Sequence, residues 1–352
     1  MKFIHCADVH LGSKMESKLP KEKSDERKSE VRTAFRNMVK YAEENGIRVI
    51  ALSGDVFDSD RPLKKDKEFF YSVVKNNPEI DFLYLRGNHD GMESYTENDC
   101  ANLKTFSEEW TAYRYGDAVF YGVEMGEGNA LSLYAALGAD KNDKNIVMLH
   151  GQIADASGKD KINVAKLRAK NIDYLALGHI HAYSQGRLDE RGKYVYSGCL
   201  EGRGFDECGK KGFVVVDTDG FSCEFVENSV RTVEEIFVDC SGTEDWYTAV
   251  RKAEEAVIGH KKDLVRLVLT GEISYDGEGL EKEIERQLFS SCYFISVKNR
   301  TVRRFDIDAL QGDLSLRGEF IRTVLNSEKY SDGEKQSIIS VGLNALGGRE
   351  VE

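Results

Sequence analysis

Asp81-Phe82-Leu83-Tyr84-Leu85-Arg86-Gly87-Asn88-His89-Asp90 decides how the chain is read. An apolar run of strand length stops at a glycine and hands on an amide, an imidazole and a carboxylate. Alone, Asn-His-Asp after a glycine also describes a capped turn. Four further stretches repeat the arrangement. Asp8-Val9-His10 follows Lys2-Phe3-Ile4-His5-Cys6. Gly54-Asp55-Val56-Phe57-Asp58 follows Arg48-Val49-Ile50-Ala51-Leu52. His150-Gly151 follows Asn145–Leu149, and Gly178-His179-Ile180-His181 follows Ile172–Leu177. Each run delivers Asp, Asn or His to the expected carboxyl edge of a sheet, where open sheets keep their ligand sites. Five of the seven histidines stand in these stretches, an arrangement scattered core histidines do not produce.

Between the runs lie helical patterns. Val31, Ala34, Phe35, Met38 and Ala42 recur at helical spacing up to Asn45-Gly46. Phe69, Phe70, Val73 and Val74 do so up to Asn77-Pro78. Strand, helix and strand in alternation predict a layered α/β domain. The stretch Lys14–Lys28, with six basic and four acidic residues, reads as a solvated loop leading into the first helix in preference to a DNA contact. Asp219-Gly220 marks a hairpin turn between Gly212–Asp217 and Phe221–Phe225, and the first domain is expected to end at Asn228.

Residues 229–305 change character. Strands are expected at Ile236–Cys240, Asp263–Ile273 and Cys292–Val297. Helix faces are marked by Trp246, Val250, Ala253 and Val257, and by Leu280, Ile284 and Leu288. With no ligand stretch of its own, this block reads as a small α+β cap. Residues 306–352 suggest two short helices, candidates either for docking a partner or for packing on the cap.

The 352 residues, 41% hydrophobic with only three prolines, indicate a folded protein of about two domains. No uncharged stretch reaches the roughly 20 residues needed to span a bilayer. Met1-Lys2-Phe3-Ile4 runs straight into the first ligand pair, so no signal peptide is expected. Seven cysteines, an odd number without a C-x-x-C, argue against a disulfide framework or thiolate zinc site and for a reducing cytoplasm. A net charge of −12 argues against a polyanion binder held by bulk charge, although local patches still count at physiological salt.

Asp8, His10, Asp55, Asn88, His150, His179 and His181 supply two carboxylates, one amide and four imidazoles. That is too many for one tetrahedral site and suits two metals sharing a carboxylate. Oxygen and imidazole without thiolate fit manganese, iron or zinc. Such a pair clamps a phosphate and stabilises an in-line displacement.

The order D-x-H, G-D-x-x-D, G-N-H-D, H and G-H-x-H resembles the calcineurin-like metallophosphoesterases, and more narrowly the SbcD-type DNA repair nucleases. His5–Gly12, Gly54–Asp58 running on to Arg61-Pro62, and Tyr196-Ser197-Gly198-Cys199-Leu200-Glu201 before Lys211-Gly212-Phe213 carry the narrower likeness. It covers roughly residues 1–225. It implies a sandwich of β-sheets flanked by helices, with Asp8, His10 and His181 holding one metal, Asn88, His150 and His179 the other, and Asp55 bridging. It implies His89 as the catalytic histidine, with Asp90 orienting it. It further implies a manganese-dependent exonuclease on DNA, a homodimer, and an SbcC-like ABC ATPase as partner. Asp58 is expected to fix its loop, and His5 to lie in the core or support the ligands. Arg203, Lys210, Lys211, Arg300, Arg303 and Arg304 are candidate contacts to a phosphate backbone or plain surface cations. A phosphatase or small-molecule phosphodiesterase is the rival reading. Ser59 after Asp58 and Asp90 after His89 depart from the G-D-x-x-D-R-G and G-N-H-E of the serine/threonine phosphatase branch.

Overall fold

A computed structural model describes residues 1–15, 18–94, 100–304, 310 and 312–346. They form two compact units, Met1–Val233 and Glu234–Glu352. The separation expected at Asp306 lies outside the described residues.

The first unit opens with β1 (Lys2–Cys6), α1 (Lys21–Glu44), β2 (Val49–Ser53), α2 (Lys64–Asn76) and β3 (Asp81–Leu85). It continues through β4 (Leu103–Thr105), β5 (Thr111–Tyr115), β6 (Ala118–Gly122), α3 (Leu133–Ala136), β7 (Lys144–His150), β8 (Gln152–Ala154) and β9 (Lys161–Asn163). It closes with β10 (Tyr174–Gly178), β11 (Ser184–Arg187), β12 (Lys193–Tyr196), β13 (Gly212–Asp217) and β14 (Ser222–Glu227). Two six-stranded sheets result, in the orders β14-β13-β1-β2-β3-β4 and β11-β12-β10-β7-β6-β5. Phe3, Val49, Ala51, Leu83 and Leu85 of the first sheet join Phe120, Ile146, Met148 and Ala176 of the second in one buried cluster. Alternate residues of the same strands face outward, because a strand's side chains alternate. Val147, Leu149, Leu175 and Leu177 pack with Leu133, Tyr134 and Leu137 on the second sheet's far side. On the first sheet's far side, α1 brings Tyr41 to Phe213 and α2 brings Phe70 to Tyr84. The unit is therefore a layered α/β sandwich.

β1 runs parallel to β2, β2 to β3, and β7 to β10. Their carboxyl ends consequently gather at one edge of the sandwich. The sheets meet closely there: a Cβ on Gly178 would collide with the Ser53 carbonyl, the His150 ring and Ala7. Only glycine admits that approach.

One expectation for this unit needs correction. The charged run Lys14–Lys28 is not all loop, since α1 begins at Lys21, and Arg27 is fully buried. Arg27 bonds Glu30, reaches Glu201 at 2.7 Å, and donates to the Gly202 carbonyl at 2.6 Å. Partners near and distant in sequence thus turn one cation of the stretch inward, while Lys14, Lys18, Lys21, Glu22, Asp25 and Glu26 stay exposed.

In the second unit, β16 (Leu264–Thr270) lies between β15 (Val233–Asp239) and β18 (Phe294–Asn299), with β17 (Glu272–Ile273) and β19 (Val302–Arg303) pairing separately. The strand expected over Asp263–Ile273 is broken at Gly271, whose φ of +94° takes the chain out of the pleat. Helices α4 (Trp246–Ala256) and α5 (Leu280–Leu288) share a core with this sheet through Val250, Ala253, Ile284 and Leu288. The capping box of Asp245 and Thr248 starts α4. Helices α6 (Leu316–Leu325) and α7 (Asp332–Leu346) pack on each other through Ile321, Val324, Ile339 and Leu343.

Candidate metal centre

The loop after β1 is laced to the loop after β2. Asp8 N–H donates to the Gly54 carbonyl at 3.0 Å, His10 N–H to the Asp55 carbonyl at 3.0 Å, and Leu11 N–H to the Val56 carbonyl at 2.8 Å. Asp8, His10, Asp55 and His179 all have positive φ, between +51° and +94°. Side-chain-bearing residues rarely adopt that region, and strain of this kind collects at functional sites. Their carboxylates also brace the backbone. Asp8 accepts the His179 N–H at 3.0 Å, and Asp55 Oδ1 accepts the His89 N–H at 2.8 Å.

The structure brings all seven expected ligands together. His10 Nε2 stands 3.2 Å from His181 Nε2. Asn88 Oδ1 is 3.0 Å from His150 Nε2 and 3.1 Å from His179 Nδ1. Asp55 Oδ2 is 3.2 Å from His150 Nε2 and 3.9 Å from His10 Nε2, between the two sets. Among the described residues, two groups of carboxylate and imidazole atoms lie within 4.8 Å of one another: Asp8, His10 and His181, and Asp8, Asp55 and His150. Asp8 therefore belongs to both groups, and Asp55 is not the sole carboxylate between them.

The outer nitrogens of three histidines face acceptors. His150 Nδ1 lies 2.9 Å from the Ser53 carbonyl, His181 Nδ1 2.7 Å from Glu207, and His10 Nδ1 3.0 Å from Asp58. In a neutral ring, the partners of His150 and His181 favour a proton on Nδ1 and an Nε2 lone pair facing inward, whereas His10 Nδ1 lies close to Asp58 without forming a hydrogen bond. With the same tautomer on His10, two inward lone pairs 3.2 Å apart, on His10 and His181, repel unless a cation or proton sits between them. The donor set thus fits divalent metal ions.

The electrostatics agree. Burial pushes the Asp8 carboxyl up, against the pull of three histidines. Burial also acts to raise Asp55, but its bond to His150 and the charges of His150 and His10 hold it well below the usual carboxylate range. His150, despite burial, is pushed up to about 9 by the Asp55 hydrogen bond and the charges of Asp55 and Asp8. Burial and the His150 charge hold His179 below its ordinary value. A cluster that grips a proton this way offers the same seat to a metal.

Residues 1–183 match the calcineurin-like phosphoesterase family, just over half of the chain. The chain belongs to that family. It is similar to proteins called DNA double-strand break repair protein Mre11. That of Methanosarcina acetivorans is 22% identical over 86% of this chain and 51% of its own length. That of Sulfolobus acidocaldarius is 21% identical over 97% and 94%, and that of Thermoplasma acidophilum 24% over 94% and 91%. The chain spans about half the length of the Methanosarcina relatives it matches. A solved dimetal phosphatase from Danio rerio aligns at 11% identity and a TM-score of 0.43, over 61% of this chain and 92% of that one.

Of the other candidate residues of this phosphoesterase, some stand elsewhere than anticipated and others, His5 among them, where expected. Asp90 is buried, and its carboxylate accepts the N–H groups of Val56 (3.2 Å), Phe57 (2.9 Å) and Gly87 (3.0 Å). It staples the Asp55 loop to the Asn88 loop, and its acceptors are spent on backbone rather than on the His89 ring. Burial and the Asp55 charge push it up to about 7. His89 itself is exposed, its ring centroid 5.2 Å from that of His10. Arg203 and Lys211 are not free phosphate contacts. Arg203 is bound to Glu207, Asp58 and Ser13, and buried Lys211 donates to the His181 carbonyl at 2.8 Å. Lys210 lies 3.0 Å from Glu227, and Arg303 lies 3.8 Å from Asp276. Arg300 and Arg304 are exposed. His5 is fully buried against the Tyr174 hydroxyl at 2.9 Å, and burial holds it down to about 3. Glu207 escaped sequence reading. Its only sequence signal is a position four residues after Arg203, and its value to the site comes from chain folded back over His181.

Proposed function

We propose that the chain is a two-metal-dependent phosphodiester hydrolase acting on DNA, an exonuclease of SbcD type in double-strand-break repair. The convergence of seven donor side chains from five strand ends carries this reading. Manganese is the metal we assign, with iron or zinc as substitutes, because the donors are oxygen and imidazole. Asp8, His10 and His181 would hold one ion, Asn88, His150 and His179 the other, with Asp55 between them. Bound there, the metal pair supplies Lewis-acid activation of water and charge stabilisation for the phosphate.

This chain's own groups do the rest. Asp55 is fixed by the His89 N–H, so the backbone at His89 is tied while its ring stays open to the cleft. From there the imidazole donates a proton to the leaving oxygen. Asp90 holds the two loops in register. The block 229–305 acts as a specificity cap, with Arg300, Arg303 and Arg304 as its candidate phosphate contacts. The helices of 306–352 are candidates for docking an SbcC-like ABC ATPase. We further infer a homodimer working in the cytoplasm. Among the described residues no helix is long and apolar enough to cross a membrane.

A phosphatase or phosphodiesterase on small phosphoesters is the second reading. It is favoured by the internal partners of Arg203 and Lys211, which remove two cations from any DNA track. The experiment pairs the two substrates: purified protein with manganese, on end-labelled linear DNA and on bis(nitrophenyl) phosphate. Metal-dependent shortening of DNA supports the nuclease. Hydrolysis of the small ester alone supports a phosphodiesterase on small phosphoesters, and activity on neither rejects a diester hydrolase of either kind.

A further inference from the structure

The two halves of the candidate centre are braced differently. His150 Nδ1 faces a neutral backbone carbonyl, that of Ser53. His10 Nδ1 and His181 Nδ1 instead face two carboxylates, Asp58 at 3.0 Å and Glu207 at 2.7 Å. One side chain joins these carboxylates. Arg203 Nη1 donates to Asp58 Oδ1 at 2.8 Å and to Ser13 Oγ at 3.1 Å. Its Nε and Nη2 both donate to Glu207, at 3.0 and 2.5 Å. The Arg203 backbone N–H adds a further bond to Glu207 Oε2 at 2.8 Å. The guanidinium is mostly buried, and Glu207 is 4% exposed.

We propose that Arg203 is a positioning residue for one metal position only, its guanidinium fork locking Asp58 and Glu207 against the outer nitrogens of His10 and His181. A planar fork with five fixed N–H groups is suited to this, since it binds two carboxylates at set angles. An ammonium is a point charge and cannot hold both geometries. Without the fork, Glu207 is a buried anion that has lost its main partner, and such a group turns away or recruits water. Either movement releases the His181 ring. The link from these contacts to His150 runs through Asp55, 3.9 Å from His10, and Asp55 keeps its own anchors in the His89 N–H and His150, so the second position should not respond.

The inference rests on the two-metal reading above. The test is Mn²⁺ binding to the metal-free full chain, followed by calorimetry and by the electron paramagnetic resonance of free Mn²⁺. Wild type should take two equivalents in distinguishable phases, and His10→Ala should identify which phase belongs to the His10 and His181 position. Arg203→Met should weaken that phase roughly 10–100-fold, the usual cost of losing a partner behind a metal ligand, and leave the other unchanged. Arg203→Lys, which keeps the charge and the packing stem, should weaken the same phase and serves if the methionine variant does not fold. Equal weakening of both phases, no change in either, or full restoration by lysine would each overturn the proposal. Wild type binding fewer than two equivalents would instead overturn the two-metal reading, and this inference with it.

Discussion

His89→Ala separates a proton donor from a metal ligand. Among the described residues, the hydrogen bond that ties His89 to the ligand set is its backbone N–H to Asp55 Oδ1, at 2.8 Å, and alanine keeps that bond. Its ring is exposed, so truncation should cost within about 0.5 kcal/mol of stability. Metal content should therefore stay at the wild-type value. Loss of a general acid removes about 10²–10⁴-fold in rate, a barrier increase of about 3–5 kcal/mol. The assay is single-turnover cleavage of end-labelled DNA beside hydrolysis of bis(nitrophenyl) phosphate, with manganese content measured on the same samples. A DNA alkoxide needs the proton and a nitrophenolate does not, so most of the defect should vanish on the nitrophenyl ester. An equal defect on both substrates would refute proton donation and make His89 a phosphate-oxygen contact. Loss of metal would refute the placement of its ring outside the ligand set.

Three further expectations follow from the same geometry. Asp55→Ala removes the carboxylate lying 3.2 Å from His150 and 3.9 Å from His10, and should lower occupancy of both metals by elemental analysis. Two equivalents retained would remove it from between them. His150 is raised to about 9 by Asp55, so the metal-free ring is protonated at neutral pH and metal must displace that proton. Binding calorimetry at pH 7.5 in buffers of different ionisation enthalpy should report proton release, with affinity rising as pH climbs toward about 9; no release would contradict the pairing. Asp90→Ala strips the acceptor from three loop amides, which should cost roughly 2–4 kcal/mol in denaturant unfolding. It should leave the ratio of rates on the two leaving groups unaltered, and a changed ratio would return Asp90 to the proton-transfer step.

The ligand stretches were legible in sequence because each is local. A strand's apolar run, a glycine and a donor residue lie within a few positions, and the sheet edge does the gathering. Charged residues were harder to read for the opposite reason. Arg203 and Lys211 show their charge in the sequence but not the carboxylates and the carbonyl that fold back onto them. Arg27 looked solvated until Glu201, far along the chain, was placed beside it. Asp90 follows His89 in sequence, and adjacency suggested partnership, yet in a turn its side chain faces the opposite way, into the Asp55 loop. Gly271 was read within a strand because the residues on both sides alternate well, and sequence does not display its positive φ. Glu207 lacks any local pattern, since its function depends on where Arg203 and His181 stand in space.

The most direct test is anomalous diffraction from a crystal of the full chain grown with manganese. Two peaks are expected roughly 3.5–4 Å apart. One should lie among Asp8, His10 and His181, the other among Asn88, His150 and His179, with Asp55 in contact with both. A single peak, or manganese held away from these residues, would contradict the two-metal centre on which the account depends.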